Sequence, residues 1–427
     1  MLYIKSDVLL FLALLAGLMP VLVSCDAGSD VVVRNDSDAG MTVTMHLCTG
    51  DIMGSTRAPE LSNDDNSVEE NRIDIEGNDY CILIFRRQTT ADGTEEMVFQ
   101  ERFVPLSVQT IEGSKERLYA LQGVVSVASG LKTGAVAQEN MAIMVLANWR
   151  SFGCEYDDIL PVSGVTTIDD VVEQARNKPF RLPTDKSPAK ETLQTWQPYV
   201  SGHKGIPMCG VKEFEMTSAA VRAGGEISID EPVMLLRAVA KIEIIDNLYE
   251  GKRDGVCGVK VAAVSRYNKT GTLICDMKRN PEWHVEEVQV TTPTLPLPQD
   301  DMEQGSDLGM LPAGNDGEGR PVYAAYVPEF DMRGLEPGDV LRPAIKLQIR
   351  KPGRDTELLG YIVDIADYGG GTTPTVMEND PDYSYLLRNH IYRFELVGSP
   401  DNPERRLVIN YTVCPWDVRT AGDIRFE

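Results

Sequence analysis

The chain has 427 residues and a formal net charge of −24, with 65 acidic against 41 basic side chains. So acidic a chain excludes nucleic-acid binding as a function class, because phosphate recognition needs a basic face. The length allows two domains that each bury a core of their own.

The N-terminal segment predicts export and lipid attachment. Residues Val8–Val23 are almost wholly apolar, and Lys5 precedes them. This run is shorter than the roughly 20 residues of a transmembrane helix and fits the core of a signal peptide. The small residues before Cys25 favour removal of residues 1–24 and attachment of a lipid to the Cys25 sulfur. A plain signal peptide followed by an incidental cysteine is the alternative.

An alternating segment and a single arginine follow the signal. One face of the alternating segment would carry four apolar residues of a strand, namely Met41, Val43, Met45 and Leu47. Arg57 lies between this strand and the polar segment 60–71, which predicts an exposed loop. Exposed loops are preferred sites of proteolysis. The order therefore predicts a detachable strand followed by a cutting site at Arg57, and a solvated loop arginine is the alternative.

Strand signals dominate the rest of the first half. Strand signals predict strands at Arg72–Ile75, Tyr80–Phe85, Met97–Gln100 and Arg117–Ala120. The short apolar run Ala142–Ala147 predicts a strand that is buried on both faces. One helix is predicted after Thr167, where Asp170 completes a capping box and apolar residues recur at helical spacing. Residues 181–231 are punctuated by proline and glycine and predict loops.

The second half repeats the strand pattern. An apolar segment from Pro232 to Ile245 opens it, and the last strand carries an apolar face of four alternate residues, Leu407, Ile409, Tyr411 and Val413. Many short strands separated by turns predict a mainly β protein with two β-sandwich-like domains and a few short helices. We expect these domains at residues 58–231 and 232–427, after a lipidated propeptide at 25–57 that holds the first strand.

The residue types that carry catalysis or metal binding form no recognisable pattern. The four histidines lack the spacing of metal ligands, and the seven cysteines other than Cys25 include no CxxC pair. Neither a nucleophile elbow nor a phosphate-binding glycine motif is present. The sequence therefore predicts a protein that is not an enzyme and that takes no metal or cofactor. Disulfide pairing among the seven cysteines stays open.

Five short segments together resemble a known family. They are Thr56–Ala58, Ile206–Gly210, Leu236–Glu243, Arg388–Phe394 and Tyr411–Trp416. In this order, behind a lipid-attachment motif, they are similar to motifs of the fimbrillins, the type V pilins of Gram-negative anaerobes. The resemblance implies transthyretin-like β-sandwich domains and a role as a major or minor fimbrial subunit in cell adhesion.

The resemblance also implies a route of assembly. A lipoprotein precursor would reach the outer membrane and be held there by a lipid, such as palmitate, on Cys25. An arginine-specific maturation protease would cut after Arg57 and release the first strand. A strand from a neighbouring pilin subunit would then fill the empty groove. The donor would be the C-terminal segment with Leu407–Val413 and Ile424–Phe426, and the alternative is that these strands stay in their own domain.

Several functional alternatives remain at this point. The sequence does not separate shaft, tip and membrane-anchor subunits, and an anchor subunit would keep Cys25 and its lipid. A permanently lipid-anchored surface protein, for example one that binds glycans, is the second hypothesis. A secreted hydrolase is the third.

Overall fold

The computed structural model describes residues 40–49, 72–89, 93–111, 118–176, 178–181, 193–194, 205–229, 231–248, 258–268, 270–274, 307–316, 318–332, 334–351, 354–365, 385–398 and 407–415. These residues belong to one compact unit. The predicted lipid site Cys25, the predicted cleavage site at Arg57 and Ala58, and Ile424–Phe426 lie outside the described residues. Within those ranges, no helix has the length and hydropathy needed to cross a bilayer.

Before residue 240 the described chain forms twelve strands and three short helices. The strands are β1 (Met41–Cys48), β2 (Tyr80–Thr89), β3 (Glu95–Arg102), β4 (Pro105–Ile111), β5 (Leu118–Val125), β6 (Gln138–Ala147), β7 (Pro179–Arg181), β8 (Leu193–Gln194), β9 (Met208–Thr217), β10 (Ile227–Ser228), β11 (Val233–Met234) and β12 (Leu236–Arg237). The helices are α1 (Ser129–Thr133), α2 (Ile168–Arg176) and α3 (Ser218–Ala223). Two 3-10 turns lie at Arg150–Phe152 and Tyr156–Ile159.

Two sheets of this first half share one hydrophobic core. One sheet has the strand order β10-β1-β5-β4, with β11 also paired to β1, and the other has the order β12-β9-β6-β2-β3. Val43 and Met45 of the first sheet belong to the same buried cluster as Phe85 and Val145 of the second. The β6 residues Met141–Ala147 are fully buried, as the continuous apolar run predicts.

From Ala240 onward the described chain forms a second set of sheets. Its strands are β13 (Ala240–Asp246), β14 (Val259–Ser265), β15 (Thr270–Thr272), β16 (Leu308–Gly309), β17 (Leu311–Asn315), β18 (Pro321–Val327), β19 (Phe330–Asp331), β20 (Ala344–Lys351), β21 (Arg354–Asp364), β22 (Tyr385–Leu386), β23 (His390–Gly398) and β24 (Leu407–Pro415). Sheets of order β17-β18-β13-β23-β24 and β21-β20-β14-β16-β8 enclose a second core. The predicted mainly β class is confirmed.

The two cores do not divide at the predicted boundary. Strands β11 and β12 pair with β1 and β9, and Ala238 and Val239 belong to the first core. The first core therefore extends past the boundary expected between residues 231 and 232, and the second core begins with Ala240. Strands β7 and β8 in turn pair with β15 and β16 of the second half. The division of the chain into two domains stays a prediction.

The predicted helix is confirmed, together with its capping box. The Thr167 N–H donates to the Asp170 carboxylate at 2.8 Å, and the Asp170 N–H donates to the Thr167 hydroxyl at 3.1 Å. These reciprocal bonds satisfy amides that the first turn of α2 leaves without helical partners. Ile168, Val171 and Ala175 point into the first core, as their spacing predicts.

The strand predicted at Arg72–Ile75 is wrong. The Ile73 N–H donates to the Tyr119 hydroxyl at 2.9 Å, and the Asp74 N–H donates to the Asn148 side-chain oxygen at 3.0 Å. Side chains from elsewhere in the fold thus take the backbone groups that a neighbouring strand would need. Such long-range partners leave no local pattern in the sequence.

The prediction of loops at 181–231 is also wrong in part, because β9 lies there. This strand pairs with β6 along its whole length. A side chain at Gly210 would collide with the Met234 carbonyl, since a Cβ would lie 2.0 Å from that oxygen. The glycine therefore permits close backbone approach inside a strand and does not mark a turn.

A buried charge cluster lies on β13 and β23. The Lys241 ammonium is 2.8 Å from one Glu243 carboxylate oxygen, and the Arg393 guanidinium is 2.7 Å from the other. Burial by itself would raise the pKa of Glu243, but the charges and hydrogen bonds of Lys241 and Arg393 together outweigh it and lower the pKa to about 2. Glu243 therefore stabilises the fold above about pH 4.5, and that contribution is lost as the pH falls toward about 2.

We expect Glu243→Gln to lower the free energy of unfolding by about 3–5 kcal/mol at neutral pH, because two buried cations lose their carboxylate. The difference from the wild type should shrink as the pH falls from about 4.5 to about 2, where the wild-type carboxylate also becomes protonated. Denaturant unfolding at a series of pH values measures both effects. Glu215→Gln, at an exposed position on β9, is the control, and a difference that stays constant down to pH 2 would contradict the assignment.

Candidate functional site

Strand β1 lies in the interior of its sheet. It pairs antiparallel with β5 over its full length, from Met41 opposite Val125 to Cys48 opposite Leu118. On its other side, β10 and β11 pair with it in parallel. In the described pairings β1 is therefore the strand that joins β10 and β11 to β5. We call the space that β1 occupies between β5 and these two short strands the β1 slot.

The inward face of β1 is apolar and almost completely buried. Met41 is 5% exposed, and Val43, Met45 and Leu47 are 0% exposed. At about 1.5–3 kcal/mol for each side chain, the four contribute on the order of 6–12 kcal/mol as an upper bound. The alternation predicted from the sequence is confirmed, and it makes β1 a major part of the first core.

The outward face of β1 is polar, and the Glu226 carboxylate joins it to β5. Thr42, Thr44 and His46 alternate with the buried residues and are half-buried. The Thr44 hydroxyl donates to the Glu226 carboxylate beside β10, and the Gln122 amide of β5 donates to the same carboxylate at 3.2 Å. Burial lowers the pKa of His46, which keeps its imidazole neutral at neutral pH.

A buried arginine closes the C-terminal end of the slot. Arg237 Nη2 donates to the backbone carbonyl of Thr49 at 2.6 Å, and Nη1 donates to the side-chain oxygen of Asn389 at 2.8 Å. Arg237 is 1% exposed and Thr49 is 0% exposed. The Asn389 N–H donates in turn to the Val239 carbonyl at 2.9 Å. The chain segment just after β1 is thus bound to β12 and, through Asn389, to the turn before β23.

Sequence reasoning placed Arg237 in a strand but missed this role. The available signal is a single charged residue inside the apolar segment Val233–Val239. A charge in such a segment is either at an exposed position or buried with partners. The sequence alone does not separate these two cases, because the acceptors come from Thr49 and Asn389, which are distant in the chain.

The predicted donor strand forms part of its own sheet. Strand β24 pairs antiparallel with β23 over its full length, from Leu407 opposite Gly398 to Pro415 opposite His390. Ile409 is buried in the second core, and the Tyr411 ring lies 4.8 Å from the Phe394 ring between centroids. This arrangement corresponds to the alternative in which the C-terminal strand stays in its own domain. Donation by the face with Leu407, Ile409, Tyr411 and Val413 stays a prediction.

Other chemistry-bearing residues form no second site in the described ranges. No group of three or more His, Cys, Asp or Glu side chains there is arranged to hold a metal ion. Cys81 and Cys154 are buried free thiols. Burial raises the pKa of Cys81 to about 11, so its thiol is protonated and unreactive at neutral pH. These two cysteines act as small core residues.

Comparison with known proteins gives structural neighbours only. No protein-family model matches the chain, and no curated protein matches it in sequence. A tip fimbrial protein from Porphyromonas gingivalis is 11% identical, with 88% of this chain and 100% of that chain covered and a TM-score of 0.45. A fimbrial assembly protein from Parabacteroides distasonis is 14% identical, with 88% and 96% covered and a TM-score of 0.41.

A further neighbour is a fimbrial protein from Bacteroides vulgatus, 8% identical, with 86% of this chain and 99% of that chain covered and a TM-score of 0.37. Three fimbrial proteins are thus among the solved structures to which this chain is similar.

We expect Met45→Ala to lower the free energy of unfolding of the uncut protein by about 2–5 kcal/mol, because it removes core contacts at the centre of β1 and leaves a cavity. Thr42→Ala, on the outward face of the same strand, should change it by no more than about 1 kcal/mol. Urea unfolding measures both variants. Equal effects of the two substitutions would show that β1 is not held by its inward face.

Proposed function

We propose that the chain is a fimbrial subunit of the cell surface whose own β1 is a temporary occupant of the β1 slot. The observation that carries the proposal is the position of β1. It is an interior strand of the first core, yet in sequence it lies between the predicted lipid site Cys25 and the predicted cleavage site at Arg57. The resemblance of the sequence to the fimbrillins supports the same function.

The covalent tether explains how the strand can be stable and yet replaceable. As part of the same chain, β1 is present at its slot at a high effective concentration, so a free strand rarely displaces it. Cleavage after Arg57 removes this advantage without changing any contact inside the slot. Once β1 leaves, β5 has an unpaired edge beside an apolar groove, which favours addition of a strand from a neighbouring subunit.

The steps before strand exchange follow from the N-terminal segment. The precursor is exported as a lipoprotein and held at the outer membrane by the lipid on Cys25. An arginine-specific protease then cuts between Arg57 and Ala58. The released piece carries both the lipid and β1, so a single cleavage frees the subunit from the membrane and opens its slot.

A second candidate function is supported by the position of β24. Because this strand is paired with β23 and contributes Ile409 to the second core, its donation would cost the subunit part of its own fold. A subunit that accepts a strand without donating β24 would lie at one end of a fibre, as a tip subunit does. A permanently lipid-anchored surface protein, including a fimbrial anchor that keeps Cys25, is the related alternative.

We expect fimbriae from cells to contain a form of this chain that begins at Ala58, which N-terminal sequencing or mass spectrometry of the purified protein measures. Arg57→Ala should abolish that form, leave the lipidated chain in the membrane fraction and prevent its incorporation into fibres. Arg34→Ala is the matched control, because cleavage after Arg34 would leave β1 attached to the rest of the chain.

Two results would contradict the proposal. Wild-type fibres that contain only the chain with lipidated Cys25 would favour the anchor function. Fibre incorporation that is unaffected by Arg57→Ala would show that release of β1 by this cleavage is not required.

A further inference from the structure

We propose that Arg237 is a binding residue of the β1 slot, whose guanidinium holds the backbone carbonyl of the residue that follows the occupying strand. This inference rests on the function proposed above, because it concerns the strand that replaces β1. The apolar side chains of the occupant are therefore not its only requirement. The occupant must continue for at least one residue beyond its last pairing with β5.

The apolar face of the slot does not by itself define where an occupant ends. Side chains alternate with a period of two, so a strand shifted by two residues still presents the same face to the core. Met41, Val43, Met45 and Leu47 are all flexible or branched apolar residues. A shift by two positions would therefore lose one buried side chain and keep the other three. A fixed polar group at one end of the slot adds the missing constraint.

Arg237 has the geometry of such a group. Its own backbone is held in β12, where it pairs with Met208 of β9. Its side chain is fixed from behind by Asn389, 2.8 Å from Nη1, and it reaches forward to the Thr49 carbonyl, 2.6 Å from Nη2. Cys48 is the last residue of β1 paired with β5, and Thr49 follows directly. The guanidinium is therefore aimed at the first carbonyl beyond the strand.

The energetic reason is the burial of a permanent charge. Arginine remains protonated in proteins, and a buried guanidinium requires hydrogen-bond acceptors to offset its desolvation. Release of β1 removes the Thr49 carbonyl from this environment, and an occupant that reaches the same point restores an acceptor. Because the acceptor is a backbone atom, strands of different sequence can satisfy Arg237. The ligand class is an extended peptide of alternating apolar pattern, supplied by a second subunit.

The test measures binding of labelled peptides to protein that has been cut after Arg57, under reducing conditions. One peptide has the sequence of residues 40–50, and a second, amidated peptide ends at Cys48 and lacks the Thr49 carbonyl. In wild-type protein the shorter peptide should bind at least about tenfold more weakly, as expected for loss of a hydrogen bond to a buried charge. In Arg237→Met and Arg237→Gln the two peptides should differ by no more than about twofold, since the coupling is removed.

The controls separate this inference from the proposed function. Arg393→Met removes another guanidinium from a buried ion pair, with Glu243, and should keep the wild-type difference between the peptides. Changing Thr49 of the longer peptide to alanine should change its affinity by the same factor for wild-type and Arg237→Gln protein, because the backbone carbonyl is retained. A peptide with an ester in place of the amide between residues 49 and 50 has a weaker acceptor, and should bind more weakly to the wild type even if neither variant folds.

The outcomes point to different failures. One outcome is that both peptides enter the slot with the same ratio of affinities in the wild type and in the Arg237 variants. In that case the role of Arg237 is wrong while strand exchange stands. Equal binding of the ester and amide peptides to the wild type would overturn the same role. If neither peptide enters the slot of the cut wild-type protein, strand exchange itself is wrong, and the inference about Arg237 falls with it.

Discussion

The insertion of β1 between β5 and the two short strands β10 and β11 is the constraint on which the first half of the molecule depends. One strand joins the two parts of a sheet and fills the centre of a core with four apolar side chains. Its pairing and burial are those of an interior strand. Its special character lies in its place in the sequence, next to the segments that predict lipid attachment and cleavage.

In the proposed function, β1 is stably bound in its slot but is not a permanent part of the subunit. The folded precursor would then be protected from strand exchange while β1 is tethered, because burial and effective concentration act together. The proposed cleavage of the tether would leave the contacts unchanged but make the strand a separate ligand. Arg237 links the end of the slot to Asn389 and so to the turn before β23, and we propose that it binds the new occupant there. In this proposal the slot would bind an occupant through its backbone as well as through its side chains.

Local patterns predicted the elements whose side chains face a core, and they failed where distant groups decide the conformation. The alternation at Met41–Leu47, the apolar run in β6 and the capping box of Thr167 and Asp170 each encode their structure within a few residues. Arg72–Ile75 has a strand-like composition, but the side chains of Tyr119 and Asn148 take its amides. Strand β9 was missed because its Gly210 serves close packing and not a turn.

The same distinction holds for the candidate site. The buried face of β1 could be predicted, because it is a periodic property of one segment. The hydrogen bonds at the end of the slot could not be predicted, because they join Thr49, Arg237 and Asn389, which are far apart in the chain. A structure of the assembled fimbria tests the central claim most directly. The account predicts that the strand beside β5 in each internal subunit is continuous with a neighbouring subunit, and a strand continuous with the subunit's own N-terminal segment would contradict it.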